Sequence, residues 1–143
     1  MIEHYKKVDI AKAQLDAAIK LYFIGDEYFS SITLAGAAEN VFGSILKLLG
    51  KEPALYSFAR TERMIVQALH GEEVDENELR KAMNDVRNNI KHFSGLGEQE
   101  ISLDPKESAE HMINRAISNL EELNLPKSKA IELFEKYYEN CEL

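Results

Sequence analysis

The sequence predicts an all-α protein, a compact bundle of about five to six helices, from three observations. Apolar residues recur at spacings of three and four along most of the chain, the period of one helix face, and not in the strict alternation of strands. Seven Gly and three Pro in 143 residues are few for an all-β chain, whose many turns need them. Start and stop signals then divide the chain into six segments of helical length, joined mostly by short connections.

The first segment, about 4–24, puts Val8, Ala11, Leu15, Ala18, Ile19 and Tyr22 on one stripe and stops at Gly25. Asp26 is the expected cap of the second, which runs to Gly50 in the left-handed stop position after Leu48 and Leu49. Lys51-Glu52-Pro53 is a connector. The third, about 54–70, ends with His70 before Gly71. Asp75-x-x-Glu78 has the form of a capping box for the fourth, about 76–93, which dissolves at Ser94-Gly95-Leu96-Gly97. Asp104 as cap, Pro105 at the first position and Glu107 at the third open the fifth, and Asn124-Leu125-Pro126 breaks it before a sixth that runs to about 140. No repeat or linker divides 1–143, so one domain is expected, with 94–103 its longest irregular piece.

Composition narrows the function classes. Hydrophobic residues at 45% and charged residues at 29% describe a globular chain. No apolar run approaches the roughly 20 residues of a membrane span, and the first residues lack the apolar core of a signal peptide, so a cytoplasmic protein without membrane contact is expected. The single cysteine, Cys141, excludes an internal disulfide and a cysteine-rich zinc site. With 17 Lys+Arg against 25 Asp+Glu the net charge is −8, which opposes a general electrostatic grip on nucleic acid; phosphate binding would need a local cluster.

Polar residues on apolar stripes are the candidates for chemistry. Glu39 falls amid Tyr28, Ile32, Ala35, Phe42, Leu46 and Leu49 of the second helix, and Glu62 amid Leu55, Phe58, Ala59, Ile65, Val66 and Leu69 of the third. A buried carboxylate must be paired or hydrogen-bonded, otherwise it neutralises. Either Glu39 and Glu62 pair internally with Arg60, Arg63 or an arginine from another helix, or they are site carboxylates, with Gly36, Ala38 and Gly43 opening space around Glu39. A di-iron bundle would want Glu-x-x-His pairs, which are missing: Glu107 precedes His111 by four residues and Asn89 stands three before His92. On a helical wheel His111 also points away from the stripe of Ala109, Met112, Ala116, Leu120 and Leu123, so no metal and no cofactor are expected.

In the fourth helix Leu79, Ala82, Met83, Val86, Ile90 and Phe93 form the expected core stripe. Arg80, Arg87 and Lys91 lie along one flank, Asp85, Asn88 and His92 along the other, a basic and amide-rich patch on an acidic protein. Arginine offers bidentate donors to phosphate and an imidazole titrates near neutral pH. At 100° per residue Arg87 and His92 stand about 140° apart, too far round to grip one phosphate, whereas twofold pairing of two such helices would bring Arg87 of one copy towards His92 of the other.

Arg87-Asn88-Asn89-Ile90-Lys91-His92 resembles the Arg-x(4–6)-His motif of the HEPN superfamily, the higher eukaryote and prokaryote nucleotide-binding domains. The polar Asn88 directly after the arginine and the acidic residue inside the second helix, SITLAGAAENVFGSILKLLG, extend the likeness. A second match, Arg63-x6-His70, is set aside because Met64 follows its arginine and His70 has the position of a helix-end cap. The resemblance implies a helical bundle acting as a homodimer, often as a metal-independent endoribonuclease in toxin–antitoxin or defence systems, with a nucleotidyltransferase-type antitoxin as one partner. It implies Arg87 and His92 as catalytic residues, supported by Asn88 and Glu39; Arg80 and Lys91 are the phosphate-binding part of the basic patch on the fourth helix. Other members are non-catalytic modules that bind a nucleotide or a protein partner, and that is the alternative here.

Overall fold

A computed structural model describes residues 1–93 and 99–141. The chain forms α1 (Lys7–Ile24), α2 (Tyr28–Leu48), α3 (Ala54–His70), α4 (Glu76–Lys91), α5 (Pro105–Glu122) and α6 (Lys129–Cys141), with no strand among the described residues. None of these helices is long and apolar enough to cross a membrane. The Ser94-Gly95-Leu96-Gly97 segment read as the end of the fourth helix lies outside the described residues.

Helices α1, α2 and α5 make the core. Leu15 and Ile19 of α1, Ile32, Phe42 and Leu46 of α2, and Ile113 and Leu120 of α5 are fully enclosed, and Ile131 and Phe134 of α6 close one side. Burying each such side chain contributes about 1.5–3 kcal/mol. Small residues let the three helices approach: Ala11, Ala18, Ala35, Ala38, Ala109 and Ala116 are all completely buried. On the rim of this core the Tyr22 hydroxyl donates to Glu110 across the α1–α5 seam.

Local signals explain most ends. Gly50 sits at φ 70°, where its N–H donates to the Lys47 carbonyl (3.1 Å) and the Lys51 N–H to the Leu46 carbonyl (2.9 Å), the paired bonds of a Schellman stop. Asn124, at φ 54°, ends α5 with the same two-bond pattern. The Asp104 side chain accepts the Glu107 N–H (2.9 Å), with Pro105 in the first turn. At α4 the Asp75 carboxylate accepts from Asn77 N–H (2.7 Å).

Besides Leu49 and Ala82, which lie on expected apolar stripes and are exposed, four expectations need correction. Asp26 does not cap α2: it stands at φ 59° beside Gly25 at φ 78°, and this pair reverses the chain, leaving Glu27 at the cap position without a side-chain bond to the helix backbone. Helix α1 starts at Lys7 and not near His4. Glu62 is exposed and not on a buried face, because α3 anchors through Ala54 and Ala59 while Met64, Ile65 and Leu69 of its second half stay uncovered. Helix α4 stops at Lys91, so Phe93 falls beyond it and is 69% exposed instead of packed in the core.

Candidate functional site

The site is built outward from Glu39. This residue lies midway along α2, its side chain only 6% exposed, where an ionised carboxylate is tolerable only with partners. Two arginines supply them. Arg87 Nη1 of α4 donates to Glu39 Oε2 (2.9 Å), and Arg115 Nη2 of α5 donates to Oε1 (3.0 Å). Arg115, 3% exposed, also donates to the Asn84 side-chain oxygen (2.8 Å) and the Met83 carbonyl (3.0 Å), so it ties α5 to both α2 and α4. One helical turn on, Asn119 Nδ2 donates to the Glu39 carbonyl (3.2 Å), while its oxygen accepts the Ala54 N–H (2.7 Å). That last bond satisfies an orphan donor at the start of α3, where Pro53 offers no side-chain cap.

Glycine makes the Arg87 position available. A Cβ at Gly36 would stand 2.5 Å from Arg87 Cδ and 2.9 Å from Cγ, so only glycine at this point of α2 lets the arginine stem lie against the helix. The guanidinium is thereby drawn inward to Glu39 and its side chain is 13% exposed. A buried cation, Arg115, and a largely enclosed one, Arg87, share one anion here. Burial lowers the Arg115 pKa from its ordinary value, the charge and hydrogen bond of Glu39 oppose that shift, and the neighbouring Arg87 adds to it. The Nε atoms of both arginines are buried without a hydrogen-bond partner among the described residues.

The expected basic patch is therefore divided. Arg87 faces inward. Arg80 lies 4.5 Å over the Tyr56 ring centroid, pairs with Glu76 (3.7 Å) and donates to Asn77. Lys91, Asn88 and His92 are exposed, His92 in extended conformation (φ −120°, ψ 141°) just past the end of α4. Around His92 an open cleft is lined by Ile90, Lys91, Phe93, Glu100 and Ile101. Arg87 instead lines a different pocket, between α2, α3 and α4. Within one chain Arg87 and His92 do not converge on one point.

Sequence reasoning placed Glu39 correctly as an internal polar residue but did not find Arg115 and Asn119. Their signal was available: at positions i and i+4, they flank Ala116 and precede Leu120 on the buried side of α5. His111 is exposed and pairs with Glu107 (3.6 Å). Among the described residues no three His, Cys, Asp or Glu side chains gather as a metal site would require. Compared with protein-family models, curated proteins and solved structures, the chain matches none.

Proposed function

We propose that this chain is a HEPN-like domain that acts as a homodimer on the phosphodiester of RNA, without a metal, through a site composed across the dimer axis. The observation that carries this reading is the division of the motif: Arg87 sits in the α2–α3–α4 pocket and His92 in the cleft beyond α4. Neither half makes a site alone, and a twofold pairing supplies what one chain lacks. Uncovered Phe93 and Ile101 beside His92 give that end of α4 the apolar character of a contact surface.

In this mechanism His92 takes the proton from the ribose 2′-hydroxyl, or gives one to the leaving 5′-oxygen. The 2′-oxygen attacks the adjacent phosphorus, the P–O5′ bond breaks, and a 2′,3′-cyclic phosphate is left. Arg87 of the other copy stabilises the charge developing on the phosphate oxygens. Glu39 is a positioning residue that fixes the Arg87 guanidinium, and exposed Asn88, one turn before His92, orients the ring or the substrate.

A second reading, a non-catalytic dimeric module that binds a nucleotide or a protein, is favoured by the partial neutralisation of Arg87 by Glu39 on a chain of net charge −8. Incubation of the protein with mixed RNAs in EDTA separates the two. Cleavage with cyclic phosphate ends, lost in His92→Ala and absent on DNA, supports the first; intact RNA supports the second. A 16.3 kDa monomer in sedimentation at micromolar concentration would remove the composite site.

A further inference from the structure

The polar cluster at Glu39 holds more positive than negative charge. Two guanidinium groups, Arg87 and Arg115, meet one carboxylate, and both arginines are largely enclosed. Of the two, Arg87 lines, with Glu39, a pocket of about 100 Å³ between α2, α3 and α4, whereas Arg115 borders a separate pocket between α3, α4 and α5. Three further residues of the Arg87 pocket, Asn40, Ser44 and Lys47, follow one another at helical spacing on α2. The Lys47 ammonium lies 5.7 Å over the Tyr56 ring, with no carboxylate partner among the described residues, and Arg80 stands against the same ring. Asn40 and Ser44 make no side-chain hydrogen bond among the described residues and so keep their donors for a ligand. With Lys47 and Arg87 against Glu39, this pocket is net positive on a protein of net charge −8, with neutral donors at its rim.

We infer that this pocket binds one tetrahedral oxyanion of the phosphate class, free or as the terminal group of a phosphomonoester, between Arg87 and Lys47. Its volume suits a single such group. The anion offsets the one excess positive charge of the lining, where Lys47 and Arg87 stand against Glu39, and takes charge-assisted bonds from Lys47 and Arg87. Asn40 and Ser44 donate to its remaining oxygens. The inference rests on the charge of the pocket and shares Arg87 and its partner Glu39 with the proposed cleavage site; His92 has no part in it.

Thermal melts of the full chain in rising inorganic phosphate, against sodium chloride of equal ionic strength, test it. The expected result is a saturable rise in Tm specific to phosphate, since a ligand that binds only the folded state stabilises by mass action. Lys47→Glu should weaken the apparent affinity by about tenfold or more, a loss of about 1.4 kcal/mol or greater. Lys20→Glu, the same charge reversal on exposed α1, should leave the affinity unchanged, and His92→Ala should leave it unchanged even where RNA cleavage is lost. Uridine 5′-monophosphate against free phosphate distinguishes the two sources: equal affinity assigns the site to bare phosphate, tighter binding of the monophosphate to a phosphomonoester. An equal response to chloride, an undiminished response in Lys47→Glu, loss of the response in His92→Ala, or saturation by uridine alone would each overturn the assignment.

Discussion

Replacing Glu39 by glutamine keeps the side-chain shape and removes the one negative charge between two largely enclosed cations. In the native chain Glu39 Oε2 takes Arg87 at 2.9 Å and Oε1 takes Arg115 at 3.0 Å. Glutamine retains one acceptor oxygen, and its amide turns two donors towards the other guanidinium. Arg115 keeps Asn84 and the Met83 carbonyl, so the larger loss falls on Arg87, whose bond to Glu39 has no such companions among the described residues. Removing one member of a buried ion pair costs about 3–5 kcal/mol, because a charge stays behind unpaired. For a chain of 143 residues that is a fall in Tm of about 10–17 °C. Urea unfolding of Glu39→Gln, Arg87→Met and the double variant completes the test. The double variant should be more stable than Glu39→Gln alone, since the stranded cation leaves with its partner. A Glu39→Gln protein within about 0.5 kcal/mol of wild type, the size of an ordinary surface change, would refute the reasoning.

The exposed counterpart, Glu62→Gln, should shift stability by no more than about 0.5 kcal/mol in the same urea assay, because no burial opposes its charge. Gly36→Ala should destabilise by about 1–3 kcal/mol, as its methyl drives the Arg87 stem off α2; an unchanged urea midpoint would show that the stem has room elsewhere. Stability should also fall in alkali. Burial, and then the bond to Glu110, raise the Tyr22 pKa above its ordinary value of 10.0, so the folded chain holds this proton after the unfolded chain has lost it. Tyr22 therefore contributes fully below about pH 10 and its contribution declines as pH rises beyond that. Tyr22→Phe should flatten this alkaline limb in urea midpoints measured between pH 8 and pH 11, and an unaltered slope would contradict the assignment.

Helix ends were legible in the sequence where one residue decides them. Gly50, Gly71 and the Asp104-Pro105 pair stop or start helices by their own backbone geometry or donor chemistry, and they do so in the structure. Asp26 has a capping side chain too, but the reversal at Gly25 takes its backbone into the left-handed region first. Periodicity marks a stripe without saying what covers it. That is why the second half of α3 and Phe93 read as core and are exposed. Glu39 announced itself as a charge on an apolar face, whereas its partners stand 48 and 76 positions away, beyond the reach of any local pattern. The inward turn of Arg87 depends on a glycine in another helix. From its own helix, Arg87 sits at the edge of the apolar stripe, where a long side chain can point either way.

The central claim is that Arg87 of one copy works with His92 of the other, and mixing two inactive variants tests it most directly. Arg87→Met and His92→Ala are unfolded together and refolded as an equal mixture. Half the dimers are then mixed, and each holds one site with both native residues, so the mixture should recover about a quarter of wild-type RNA cleavage in EDTA. Each variant alone should be inactive. A mixture no more active than its components, beside an active wild type, would contradict the composite site.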